Sequence, residues 1–203
     1  MSRKTRNLLT LFVASFMLLL LAVSVSAADH GAVIDSGAFG EALNWAYYED
    51  HALVITGSGE MPDFGLLSIP WNSYREEIVS VEIQTGVESI GGFAFFGCVH
   101  MKSIKIPSTT KTIRNSAFQL CSGLTGDLVL PNGVEKIEAG AFDGCGFYTV
   151  TIPETTTYIH GYGFANCSLL IEFIVNADNK NYTAYDGVLY TKDCSTLVTW
   201  PKG

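Results

Sequence analysis

The chain has 203 residues, with 12 Lys+Arg against 20 Asp+Glu and a net charge of −8. An acidic chain repels the phosphates of nucleic acid and anionic lipid, and no basic cluster reverses this locally, so nucleic-acid binding is excluded. Hydrophobic residues make up 48% of the sequence, enough to build a sizeable core.

Arg3, Lys4 and Arg6 open the chain, residues 8–25 are almost wholly apolar, and Val25-Ser26-Ala27-Ala28 supplies small residues. This is the layout of a secretory signal peptide over residues 1–27, cleaved after Ala27 or Ala28. An uncleaved membrane anchor is the alternative, because the apolar run approaches the roughly 20 residues that span a bilayer. No cysteine follows the run to accept a lipid anchor. Three basic residues and no acidic ones lie in this segment, so cleavage leaves nine basic against twenty acidic residues, a balance of −11. The mature form is expected to be extracellular, without a membrane span, and long enough for one domain.

Residues 29–77 read as an N-terminal cap. Leu43, Trp45 and Tyr47 alternate, as do Leu53 and Ile55, across a Glu49-Asp50-His51 turn, which predicts a β-hairpin. Ser73 followed by Glu76 is a capping-box pattern for a short helix. Trp45, Tyr47, Tyr48, Trp71 and Tyr74 are either core or an aromatic platform for sugar.

Residues 78–175 repeat. "AFFGC" (94–98), "AFQLC" (117–121), "AFDGC" (141–145) and "GFANC" (163–167) recur on a beat near 23. Ile90, Ile113, Ile137 and Ile159 align with them, as do Val87, Thr110, Val134 and Thr156. Short strand patterns precede each copy, often ending in proline, as in "IKIP" (104–107) and "LVLP" (128–131). Proline cannot donate to a ladder and so ends the pairing. Val81/Ile83, Ile104/Ile106, Leu128/Leu130, Val150/Ile152 and Phe173/Val175 alternate as a strand with one buried face requires. A fixed period of this length means a solenoid, whose units are too small to fold alone. The length differences between copies fall in "SGLTGD" (122–127) and "GFYT" (146–149), read as inter-repeat loops.

Residues 176–203 read as a variant repeat. "GVLY" (187–190) and "TLVTW" (196–200), joined by "TKDCS", predict a second hairpin over the last copy. The sequence stops two residues after Pro201 with no anchor or sorting signal, which fits a whole small protein or the first part of a longer array.

Phe95, Phe118, Phe142 and Phe164 are expected to stack as the spine of the solenoid. Cys98, Cys121, Cys145 and Cys167 then form a row with steps of about 4.8 Å. Such a row cannot converge on one zinc at about 2.3 Å. Parallel side chains also hold neighbouring Cβ atoms beyond the usual disulfide separation of about 3.8 Å. Buried thiols of this kind are inert core, and Cys194, in the predicted hairpin turn, is the most reactive. His30, His51, His100 and His160 match no metal or triad spacing. Glu82, Glu88, Glu135, Glu138, Asp143 and Glu154 read as a solvated face, and "NADNKNYT" (176–183) as either a turn or a calcium loop. Asn166 and Asn181 fit the N-glycosylation pattern, which matters only in a eukaryotic host. No phosphate loop or dinucleotide pattern occurs, and no metal, cofactor or catalytic residue is expected.

On these motifs the chain resembles the BspA-type leucine-rich repeats of bacterial surface and secreted proteins. The unit is a strand ending in Ile-Pro, then Val/Thr-x-x-Ile, then Ala-Phe-x-x-Cys, over residues 78–175. "LVITGSGEMPDF" (53–64) with "PWNSYREEI" (70–78) is similar to the lead-in of such arrays, and residues 184–201 to their hairpin-containing variant repeat. The resemblance implies a leucine-rich-repeat β-solenoid with one parallel sheet, and adhesion or recognition at the cell surface. Host matrix proteins such as fibronectin and fibrinogen are ligands of some members. No catalytic residue comes with it, and its motif does not fix ligand contacts. Four good copies make a small array, and Gly163 replaces Ala in the last.

The expected function is therefore non-enzymatic recognition of a protein, from the host matrix or another surface protein, through the outward side of the sheet. Alternation places Glu82, Lys105, Val129, Thr151 and Ile174 there as one stripe, with Ser80, Ser103, Asp127, Thr149 and Glu172 beside it. The alternatives are a carbohydrate-binding module using the cap aromatics, or a structural spacer in a longer surface protein.

Overall fold

Extended backbone dominates the computed structural model, which describes residues 30–201; the signal-peptide reading of residues 1–27 lies outside the described residues. The chain begins as an antiparallel meander of β1 (Val33–Phe39), β2 (Leu43–Tyr48) and β3 (Ala52–Gly57). The expected hairpin is β2–β3, turned through His51 at φ 64°. After β4 (Gly59–Glu60) the strands alternate between two faces. One face carries β5 (Ser80–Ile83), β7 (Ser103–Lys105), β9 (Thr125–Val129), β11 (Gly146–Ile152) and β13 (Glu172–Val175). The other carries β6 (Val87–Ile90), β8 (Thr112–Ile113), β10 (Lys136–Ile137) and β12 (Tyr158–Ile159). A second antiparallel meander follows, β14 (Tyr182–Tyr185), β15 (Val188–Thr191) and β16 (Leu197–Thr199), and contains the expected C-terminal hairpin as β15–β16.

The β-solenoid is thus as expected, but its parallel pairing is not confined to one sheet. β4, β6, β8, β10 and β12 form a second parallel ladder, because the Val/Thr-x-x-Ile run is extended enough to pair from rung to rung. The first face is itself divided. β3, β5 and β7 pair in one sheet and β9, β11 and β13 in another, with no ladder between β7 and β9. A third side is made of tight turns whose amides also reach the next rung: Phe95, Phe118 and Phe142 N–H donate to Ala117, Ala141 and Gly163 C=O at 2.8 Å.

Inside this triangular section lie the columns that the period marks. The rings of Phe95, Phe118, Phe142 and Phe164 stack at 5.1, 5.2 and 5.2 Å between centroids, tilted by 12°, 6° and 8°. Trp71 begins the stack, 5.6 Å from Phe95, and its indole N–H donates to Ala94 C=O; Phe173 ends it edge-on. Thr110 and Thr156 are wholly buried in the valine column, where their hydroxyls donate to Val87 and Val134 C=O at 3.0 and 2.8 Å. The bond removes the cost of burying a hydroxyl.

The cysteine row is closed in the same way. Cys121, Cys145 and Cys167 thiols donate to the C=O of Phe95, Phe118 and Phe142 at 3.0, 3.2 and 3.2 Å, and all four ladder cysteines are buried as thiols. Burial pushes the Cys121 and Cys145 thiols well above their ordinary range. The residue before each cysteine (Gly97, Leu120, Gly144, Asn166) has a positive φ, at 71°, 62°, 73° and 54°. Glycine and asparagine tolerate this conformation, whereas Leu120 is strained in it.

Three local expectations are corrected. Ser73 and Glu76 form no capping box: Asn72–Tyr74 is a 3-10 turn with Trp71 at its N-cap and no side-chain cap bond. Burying Trp71 on the phenylalanine stack decides the chain direction there. Neither length-varying segment is simply a loop, since Thr125 and Gly126 pair with Gly146 and Phe147 as extensions of β9 and β11. Phe147 is buried edge-on against Phe142, and so completes a column the Phe-x-x-Cys alignment hides: Ile78, Met101, Leu124, Phe147 and Leu170, each buried.

Phe118→Ala is expected to lower stability by about 3–5 kcal/mol and Cys121→Ala by only about 1–2 kcal/mol in equilibrium urea unfolding; the reverse order would mean that the rings do not carry the core. Leu120→Gly should raise stability by about 0.5–1 kcal/mol through release of the left-handed strain. A chromogenic disulfide reagent should titrate Cys194, the exposed thiol, rapidly and the four buried ones only on unfolding. Fast reaction of a ladder thiol in native buffer would contradict the closed row.

Candidate recognition face

The outward positions of the first face follow from strand alternation and observed register. Glu82 lies beside Lys105 across β5–β7, and Val129, Thr151 and Ile174 lie side by side across β9, β11 and β13. The second row is Ser80 beside Ser103, then Asp127, Thr149 and Glu172. Both rows are present, each interrupted between β7 and β9.

The two halves differ in chemistry. Lys105 Nζ sits 3.0 Å from Glu82 Oε1, with the lysine side chain 73% exposed and the glutamate 27%. His30 reaches Glu82 at 3.8 Å and Asp50 at 2.8 Å, extending a charged network toward the N-terminal meander. Past the interruption the stripe turns apolar: Val129 is 68% exposed and Ile174 45%, with the half-buried Thr151 between them. In the second row the Thr149 hydroxyl donates to Asp127 Oδ1 at 2.8 Å. An exposed ion pair is worth little by itself. Exposed aliphatic side chains aligned in register are instead a surface that gains by being covered.

Several other candidates are absorbed by the fold. Trp45, Tyr47, Tyr48 and Trp71 are buried and Tyr74 half-buried, so they form no exposed platform for sugar. Tyr47 stacks on Tyr74 at 4.2 Å and bonds His51, and burial together with the Glu77 carboxylate pushes its hydroxyl up to about 12. In the candidate calcium loop Asn179 is buried. Its amide donates to Pro153 and Thr156 C=O and its oxygen accepts from Asn181 and Tyr182 N–H, so this side chain closes the last rung. Asp143 accepts from Gln119 and Asn166, the carboxylate bridging neighbouring rungs. His100 is exposed while Cys98 is buried, which separates that pair. In the turn holding Cys194, the Thr191 hydroxyl and Ser195 hold Asp193 down to about 2. Among the described residues, no three His, Cys, Asp or Glu side chains gather at one point.

The division of the face between Lys105 and Val129 is the one site feature absent from the sequence expectation. Its signal is the single extra residue in "SGLTGD", which reads in sequence as a harmless change of loop length.

Comparison with known proteins agrees with this architecture. The family model for the BspA type leucine-rich repeat region matches residues 65–171 and 124–186, in 6 copies. A leucine-rich repeat protein from Eubacterium ventriosum shares the fold with a TM-score of 0.67 and 27% identity, over 84% of this chain and 51% of that one. The leucine-rich repeat protein of T. pallidum aligns with a TM-score of 0.52 and 21% identity, over 67% and 70% of the two chains. A search of curated proteins gives no significant match. The chain spans about half the length of the Eubacterium ventriosum protein. With the motif, the rung geometry and the family model in agreement, the chain belongs to the BspA-type leucine-rich repeat family.

Proposed function

We propose that this protein is a secreted or surface-displayed recognition module that binds another protein through the outer face of its first sheet and performs no catalysis itself. The observation that carries this reading is the exposed, in-register row Val129–Thr151–Ile174 beside the Lys105–Glu82 pair. A solenoid commits its inward residues to pitch and core, so its outward residues are free to be shaped by a ligand. A mixed apolar and charged surface suits a protein better than a charged polymer. Among the described residues no helix is long and apolar enough to cross a membrane. The signal-peptide pattern of residues 1–27 and the family support an extracellular location, with host matrix or another surface protein as the ligand class.

A spacer role in a longer surface protein is the second reading, favoured by the greater length of the Eubacterium ventriosum relative. The two are separated by replacing Lys105, Thr151 and Ile174 together with Glu. Recognition predicts that partners retained from matrix or bacterial-surface extracts are lost while the circular dichroism melt is unchanged. Undiminished capture by a folded triple variant would rule out this face.

A further inference from the structure

We infer that the outer face carries an open strand position between β7 and β9, which takes up an extended segment of a partner protein as an added parallel strand of the pattern (Ser/Thr)-apolar-(Asp/Glu)-apolar. The proposal rests on the reading of this face as the recognition surface and names the chemistry of what it recognises.

Backbone direction gives the first support. Gln84 N–H donates to Ile55 C=O at 2.9 Å, so alternation turns Val81 and Ile83 toward β7, where the register bonds them to the peptide groups of Ser103 and Lys105 and leaves those of Ile104 facing β9. Leu130 N–H donates to Thr151 C=O at 3.2 Å, which leaves those of Asp127 and Val129 facing β7. Two strand edges therefore face each other with no ladder between them. Unpaired edges are the standard template for strand addition.

The floor of the opening gives independent support. Ile104 and Ile106 are only half-buried, whereas Val81, Ile83, Leu128, Leu130, Val150 and Ile152 in the same columns are buried. A groove of about 310 Å³ lies here, lined by Lys102, Ile104, Leu124, Asp127, Leu128 and Phe147 among others. The rungs close on either side of it. A Cβ on Gly123 would lie 2.6 Å from Val99 O, and one on Gly133 would lie 1.9 Å from Ser108 O. The Phe118–Phe142 stack and the β8–β10 pairing are also intact. The opening is thus a slot in one face, and a short strand enters it with both ends leaving outward.

The neighbours specify the occupant. In the row Ser80–Ser103 and Asp127–Thr149, Asp127 already takes a hydroxyl from one side, so Ser or Thr in the slot supplies one from the other. Two residues on, Lys105 carries Glu82 on one side, and an acidic side chain in the slot gives it a partner on the other. The exposed Lys102 adds a second positive charge to this rim of an otherwise acidic chain. The residues between and after point inward onto Ile104 and Leu128 and must be apolar. Ser80-Val81-Glu82-Ile83 of β5 has this pattern, one strand away and in register.

The test uses the purified protein and an end-capped, fluorescein-labelled peptide of residues 79–85, VSVEIQT. Fluorescence anisotropy should show saturable binding, weakened about tenfold by E82K in the peptide and lost with Pro in place of Glu82, which removes the N–H. Amides of Ile104, Ile106, Asp127 and Val129 should exchange quickly in the free protein and slowly with peptide, while Val150 stays protected throughout. No saturable binding, equal binding of the proline peptide, or protection of those four amides without peptide would each overturn the slot. A T151E/I174E variant separates this from the broader reading. It should keep the peptide and lose the captured partner; peptide silence with partner loss removes only the slot, whereas peptide binding with undiminished capture removes only the stripe.

Discussion

Four phenylalanine rings set the pitch of this molecule. Their centroids are 5.1–5.2 Å apart and their planes nearly parallel, close to the spacing of about 4.8 Å that paired strands require. Stack and ladder are therefore commensurate, and each rung satisfies both without distortion. Offset stacking adds to the apolar area that the rings bury. Trp71 and Phe173 show what termination needs: a flat ring to begin the stack, and an edge-on ring that no further ring can follow in parallel. Because the ring side holds its spacing, any change in rung length must be taken up on another side. The extra residue in 122–127 is taken up on the first sheet, where β9 leans toward β11 and parts from β7.

Much of the fold is legible in the sequence because period and alternation are geometric. Once copies align on Phe-x-x-Cys, the ring stack, the Ile and Val/Thr columns and the inward strand residues follow, and the structure buries nearly all of them. What stays hidden is whatever breaks the alignment. Phe147 lies two residues after Cys145, whereas Met101, Leu124 and Leu170 lie three after their cysteines, so its column is invisible when counted from the cysteine. Counted at intervals of 23 from Ile78, the column is regular. The second ladder is hidden for another reason: two-residue strands such as Thr112–Ile113 carry no alternation, and only stacking makes them strands. The capping-box pattern at Ser73 is overridden by burial of Trp71, a tertiary demand larger than a helix cap.

The candidate site divides along the same line. Outward membership of Glu82, Lys105, Val129, Thr151 and Ile174 needs only alternation, and their register in the structure follows from it. Alternation does not say whether a strand is covered on one face or two. Trp45 and Tyr47 are buried on one side of β2, and Ala46 and Tyr48 are buried as well, which removes the aromatic platform. The cysteines are decided by the repeat spacing alone, which holds the row too straight for a metal and too parallel for a disulfide. A thiol that donates to the carbonyl of the preceding rung serves as a small core residue with its one proton used.

The chemistry of the outer face changes where the sheet opens. On the β7 side the stripe is an ion pair; on the β9 side it is aliphatic and threonine. A continuous sheet would place Lys105 directly against Val129, a charge beside an apolar side chain with no partner between them. An added strand bearing an acidic residue there gives the lysine a second counter-charge and leaves its aliphatic stem to lie along Val129. The one-residue irregularity and the change of surface character therefore coincide at the same pair of strands. In a fold whose inward positions are all spent on pitch, variation that costs the core little collects on such a face, and a partner can read it there.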